Sequence, residues 1–131
     1  MGPDILSAVN DDSERKLTLS VRSIDEVDVL AVRGELDALT APQLDEAINA
    51  SFAKEPTALV VDLLDLEFLA SAGMTVLLDG QKTANQLKSR FGVVADGPRT
   101  SRPMKLMGLD RELDLYPTLD AALTASSGRE L

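Results

Sequence analysis

Between Leu17 and Leu123 the apolar residues keep changing period, from every second position to three or four apart and back. A period of two marks a strand with one buried face, and a period near 3.6 marks a helix. Strands that alternate with helices pack as a mostly parallel sheet under covering helices, because a parallel neighbour is reached only through a crossover. The expected fold is therefore α/β, a single domain with a mixed sheet of four to five strands. Leu17, Leu19 and Val21 alternate with Thr18, Ser20 and Arg22, as in a half-buried strand. Val27, Val29 and Ala31 take one side of a second strand, with Leu30 and Val32 on the other and Asp28 near its start. Asp25-Glu26 turns between the two, which makes them an antiparallel edge.

Thr40-Ala41-Pro42-Gln43 has the capping-box form, with proline in the first turn, where its missing N–H is harmless. Leu44, Ala47, Ile48, Ser51 and Phe52 line one face of the helix that follows. Leu59 to Leu63 reads as a buried strand, and a long helix is expected from Ala72 to about Lys88. Its inward stripe is Leu77, Gly80, Ala84 and Leu87, the two small residues permitting close approach to the sheet. Phe91 to Ala95 is a fourth strand, closed by Asp96-Gly97-Pro98. Ser101 is placed to cap a short helix from Arg102 to Met107, Gly108 to stop it, and Met104 and Met107 to fill the core beneath it. Leu113 and Leu115 mark a short fifth strand, and Thr118 caps a last helix bearing Leu119, Ala122 and Leu123. Residues 1–15 read as a disordered polar tail and residues 126–131 as a frayed end, leaving the domain at 16–125.

Composition removes several function classes. With aromatics at 3%, Leu, Val, Ile and Ala must build the core. A net charge of −9 argues against nucleic acid and against an anionic membrane, and favours a locally basic protein partner. The chain has no cysteine and no histidine, so thiol chemistry, disulfides and the commonest base and metal ligand are gone. It contains no GxxxxGK[ST], GxGxxG or GxSxG, which leaves no nucleotide cofactor signature and no serine-hydrolase elbow. Asp62, Asp65 and Glu67 are irregularly spaced and read as a solvated rim rather than a metal site. A binding protein, not an enzyme, and one without cofactor or metal, is the expectation. Met1-Gly2-Pro3-Asp4-Ile5-Leu6 lacks the features of a signal peptide and no apolar run reaches the roughly 20 residues of a membrane span, so a cytoplasmic place is expected.

Two segments carry candidate chemistry. Gly34-Glu35-Leu36-Asp37 with Thr40 follows the second strand, and Ala70-Ser71-Ala72-Gly73-Met74 follows the third. Both belong at the carboxyl ends of parallel strands, where α/β sheets place function. A plain structural role exists for each: turn chemistry for Gly34 and Asp37, and an N-cap for Ser71. The start of a helix also tolerates negative charge, so a phosphate on Ser71 would be held without disrupting the fold.

Taken in order, these segments resemble the STAS domain, the anti-sigma factor antagonist family, over about residues 17 to 125. Gly34-Glu35-Leu36-Asp37 resembles the family's Gly-Glu-Leu-Asp segment, continued by Thr40-Ala41-Pro42. Val61-Asp62-Leu63 through Phe68-Leu69 resembles the strand before its Asp-Ser-Ser/Thr-Gly motif, which puts Ser71 on the phosphorylated serine and Gly73 on the glycine. Leu106-Met107-Gly108-Leu109 resembles the late Leu-x-Gly-Leu segment, and Tyr116 to Leu123 the closing strand and helix. Ala70 stands where the family usually has aspartate, and Ala72 where it has Ser/Thr. The resemblance implies a partner-binding face made of Gly34, Glu35, Leu36, Asp37, Thr40, Ala70, Ser71, Ala72, Gly73 and Met74. It implies an antagonist that binds an anti-sigma factor/serine kinase and so frees a sigma factor. The resemblance further implies that phosphorylation of Ser71 by that kinase switches it off and that a metal-dependent phosphatase of the PP2C type restores it. Two other readings stay open: an unphosphorylated STAS adaptor of a lipid-transport or stressosome-type assembly, and a small-ligand or nucleotide-sensing module.

Overall fold

The computed structural model describes residues 16–126. It opens with a hairpin: β1 (Leu17–Ile24) pairs antiparallel with β2 (Val27–Leu36), Leu17 opposite Gly34 and Ile24 opposite Val27. Asp25 and Glu26 make the turn at φ 52° and 69°, the left-handed pair that a two-residue hairpin needs to match strand twist. The chain then passes through α1 (Ala41–Ala53) to β3 (Ala58–Leu69) and through α2 (Ser71–Leu87) to β4 (Arg90–Val94). It continues through α3 (Ser101–Leu106) and a 3-10 turn (Leu109–Arg111) to β5 (Leu115–Tyr116), and ends in α4 (Leu119–Ser126). The five strands lie in the order β1-β2-β3-β4-β5, with β2 to β5 parallel, so the expected mixed α/β sheet is present.

Both faces of the sheet are used, unequally. On one face Leu30, Val32, Leu36, Val61 and Leu63 meet Leu44, Ile48 and Phe52 of α1, Leu77 of α2 and Met104 of α3. On the other, Ala122 of α4 packs with Val27, Val29, Val60 and Val94. Each such aliphatic side chain contributes roughly 1.5–3 kcal/mol by leaving water. A Cβ built on Gly80 would stand 2.9 Å from the Phe91 ring, so the small residue in the α2 stripe sets how close the helix lies. Asp28, 4% exposed, lies near the buried Ser51 of the α1 stripe, accepts from the Ser23 hydroxyl at 2.9 Å and pairs with Lys54 at 3.0 Å. Burial pushes the Asp28 carboxyl up, but Lys54, Ser23 and Ser51 together outweigh it and hold the group below the usual carboxylate range.

Several expectations are corrected. β3 runs six residues past Leu63, because two irregularities in its register with β2, at Ala31/Arg33 and at Gly34/Glu35, each give β3 an extra residue. The buried positions there are Leu63, Leu66 and Leu69, a period of three that hides a strand from an alternation test. Leu87 is 52% exposed rather than inward, since α2 overruns the core before Lys88 turns left-handed at φ 60°. Met104 is fully buried, whereas Met107 lies after the last residue of α3 and is 65% exposed. Thr100, not Ser101, is the N-cap residue of α3; the Ser101 hydroxyl is occupied with the Gly97 amide and carbonyl. Leu113 is buried but precedes β5. Ser126, expected to begin the frayed end, is the last residue of α4, and Arg90 donates to the carbonyl of the neighbouring Ala125 at 2.8 Å. The tail at 1–15 and the rest of the C-terminal end, 127–131, lie outside the described residues. No helix among the described residues is long and apolar enough to cross a membrane.

Candidate functional site at the carboxyl end of the sheet

The two singled-out segments meet. β2 and β3 end side by side with Leu36 opposite Leu69, and the Ala70 amide donates to the Leu36 carbonyl at 2.9 Å. Gly73, in the first turn of α2, sits directly on the Leu36 side chain, where a Cβ would come within 2.5 Å of it. The start of α2 is thereby pressed onto the end of β2.

The Gly34–Thr40 loop is held by a compact polar network. Asp37 Oδ1 accepts from the amides of Leu39 at 3.0 Å and Thr40 at 3.1 Å, the Asx arrangement that lets an aspartate set a turn. The Thr40 hydroxyl donates to the Glu35 carbonyl at 2.8 Å and accepts from the Asp37 amide at 2.9 Å. Those bonds occupy it, so Thr40 takes the N-cap position of α1 without a side-chain cap, and the expected capping box is not made. Lys16 was missed by sequence reasoning, and nothing in its surroundings in the chain signals its role. Its ammonium lies 3.1 Å from Asp37 Oδ2 and 3.9 Å from Glu35 Oε1, and its carbonyl accepts from the Glu35 amide. Hydrogen bonding from Lys16, followed by the Thr40 amide, holds the Asp37 carboxyl below the usual carboxylate range.

Burial divides the ten singled-out residues. Leu36, Thr40, Gly73 and Met74 are buried and act as supports. Glu35 and Ser71 are exposed, and Gly34, Asp37, Ala70 and Ala72 are partly so. Ser71 is the first helical residue of α2, and the N-cap is Ala70, so Ser71 does not cap the helix as expected. Among the described residues its hydroxyl has no hydrogen-bond partner, and the amides of Ser71 and Ala72 have no acceptor. Free amides at a helix start, with the dipole behind them, are a ready cradle for an anion. Two apolar side chains flank the area: Leu39 at 74% and Phe68 at 52% exposure. Sequence reasoning missed Leu39, for which the available signal was an aliphatic residue in a loop shaped by Asp37 and Thr40. Asp62 lies in a β3 irregularity, accepting from the Leu64 amide at 3.0 Å, and among the described residues no group of three or more acidic side chains is placed to hold a metal.

Ala70 occupies an N-cap with extended backbone, φ −98° and ψ 169°, and offers no side-chain acceptor. Ala70→Asp is expected to raise stability by about 1 kcal/mol, since the new carboxylate caps α2 and meets its dipole. Thermal melts of the two proteins check this; a lower melting temperature for the variant refutes it.

A family model described as the STAS domain matches residues 18–122. The chain is 45% identical over 112 residues to the anti-sigma-F factor antagonist RsfB of Mycobacterium tuberculosis (strain ATCC 25618 / H37Rv), covering 86% of this chain and 91% of that protein. A crystal structure of an anti-sigma factor antagonist from Mycobacterium paratuberculosis superposes with a TM-score of 0.79 at 48% identity, covering 84% of this chain and 93% of that one. The anti-sigma factor antagonist SpoIIAA in its unphosphorylated form has a TM-score of 0.71 at 18% identity, over 87% of this chain and 100% of that chain, a likeness of fold.

Proposed function

The chain belongs to the STAS domain family, and from that premise we propose that it is an anti-sigma factor antagonist switched at Ser71. In this reading the Gly34–Thr40 loop and the Ala70–Met74 junction dock on an anti-sigma factor that is also a serine kinase, and docking releases a sigma factor. The kinase transfers a phosphoryl group to the Ser71 hydroxyl, and a metal-dependent phosphatase of the PP2C type removes it. The protein itself is a binding partner and no enzyme, works in the cytoplasm, and engages neither nucleic acid nor membrane.

The observation that carries the reading is Ser71 itself. It is exposed, unpartnered among the described residues, and set at the first position of a helix whose leading amides are free. A phosphate there adds about 1.5 to 2 negative charges that the helix start tolerates. In a docked interface the same charge would sit near Glu35 and Asp37 and lose its water. Lys16 already neutralises Asp37, which leaves the phosphate without a spare cation in the loop. The unphosphorylated adaptor reading draws on Ala70, which leaves the serine without the usual neighbouring carboxylate.

The test is to mix the protein with the anti-sigma factor of its own organism, with and without ATP, and map phosphate by mass spectrometry. A stable complex without ATP and a single phosphate on Ser71 with it are expected. A complex that forms with no phosphate at Ser71 moves the protein to the adaptor class, and no complex at all ends the antagonist reading.

A further inference from the structure

Between Asp96 and Asp110 the sequence carries Arg99, Arg102 and Lys105, in a chain whose net charge is −9; Arg99 shares a hollow with Asp65, Glu67 and Asp96, while Arg102 and Lys105 belong to α3. None of the three cations makes an ion pair among the described residues. Arg102, Lys105 and Leu106 fall at i, i+3 and i+4 of α3 and so share a face. Beneath them lies a concave surface of about 480 Å³, lined by Gly97, Pro98, Ser101, Arg102, Lys105 and Leu106. Leu106, at 78% exposure, is more exposed than any other large apolar side chain described, and Met107 beside it is 65% exposed. Met104 is the side chain of α3 in the hydrophobic core and Ser101 is its other buried residue, so the outward face takes no part in that packing.

A lone exposed leucine needs no explanation. An apolar hollow rimmed by unpaired cations, on an otherwise acidic molecule, does. The groove follows β4 and therefore opens at the same carboxyl end of the sheet as Ser71. We infer that this groove is a second contact for the anti-sigma factor, seating an acidic segment of it that carries an apolar anchor. The inference rests on the antagonist reading above. A protein segment is favoured over a lipid surface because the whole chain is repelled by anionic lipid, while a short acidic segment meets only the local cations. Two contacts on one end of the sheet also let the antagonist hold its partner in one orientation, with Ser71 presented for modification.

Calorimetric titration of the full chain with the anti-sigma factor of its own organism tests it. Arg102→Glu with Lys105→Glu is expected to weaken binding by about tenfold or more at low salt and to flatten its salt dependence. Leu106→Ser should weaken binding by about tenfold at any salt. Leu87→Ser, which changes another exposed leucine at the far end of α2, should bind as the parent does, and melting curves should show all variants folded. If the parent binds and both groove variants match it, the inference fails while the antagonist reading stands. If the parent does not bind, both fail together. Binding of the parent to phosphatidylglycerol vesicles that the groove variants lose would overturn the protein-segment assignment in favour of a lipid surface.

Discussion

Gly34→Ala is expected to cost about 3 kcal/mol of stability and to lower the melting temperature by about 10–15 °C. Gly34 has φ +103°, and a Cβ there would stand 2.1 Å from the Lys16 carbonyl oxygen and 2.9 Å from its carbonyl carbon. Both obstacles are backbone, so no rotamer change relieves them. Lys16 has to move, and with it go the ammonium that neutralises Asp37 and the carbonyl that holds the Glu35 amide. The loss therefore reaches the Gly34–Thr40 loop, proposed above as a docking surface, as well as the fold. Gly97→Ala separates the two causes. Gly97 is also left-handed, at φ +97°, but has nothing within 4 Å of the added Cβ. It should cost only about 1 kcal/mol, the conformational share alone. Equal melting temperatures for the two variants would show that the contact with Lys16 carries no weight.

Gly34 also shows why the fold was more legible than the site. Its motif and its place after a strand were readable, and so were the hairpin before it, the α1 face and the Gly80 approach, because each is written in local period and residue size. The length of β3 was not. Its two irregularities in register shift burial to every third residue at Leu63, Leu66 and Leu69, and an alternation test sees no strand there. Caps were legible only in part. Thr40 holds the N-cap position of α1 as read, while Ser101 does not cap α3, and in both cases the hydroxyl is already bound to a neighbouring loop, which depends on tertiary geometry. Lys16 was invisible because the contact it makes spans the hairpin. The place of Ser71 was legible to within one residue, and that residue matters: at the first helical position rather than the cap, its hydroxyl has no hydrogen-bond partner among the described residues.

That last point gives the sharpest expectation for the switch. Ser71→Ala removes an unpartnered hydroxyl from an exposed helix start and adds a good helix former, so stability should stay within about 0.5 kcal/mol and partner affinity within a few-fold. Ser71→Asp places a carboxylate where the free amides and the dipole of α2 favour it, and should stabilise the free protein by about 0.3–1 kcal/mol. On binding, the same carboxylate loses its water against the partner and faces Glu35 and Asp37. A penalty of about 3 kcal/mol, roughly a hundredfold in Kd, is expected. Stability and affinity should thus move in opposite directions in one variant. Melting curves with calorimetric titration against the anti-sigma factor read both. A general defect of folding would lower the two together, and a merely structural serine would leave affinity unchanged in Ser71→Asp; either pattern would remove Ser71 from the docked face. Adding Lys16→Met to Ser71→Asp should deepen the affinity loss, since Asp37 then faces the interface without its cation. If the phosphorylated protein behaves like Ser71→Asp, the modification needs no conformational change to act, because charge in a closed interface is sufficient.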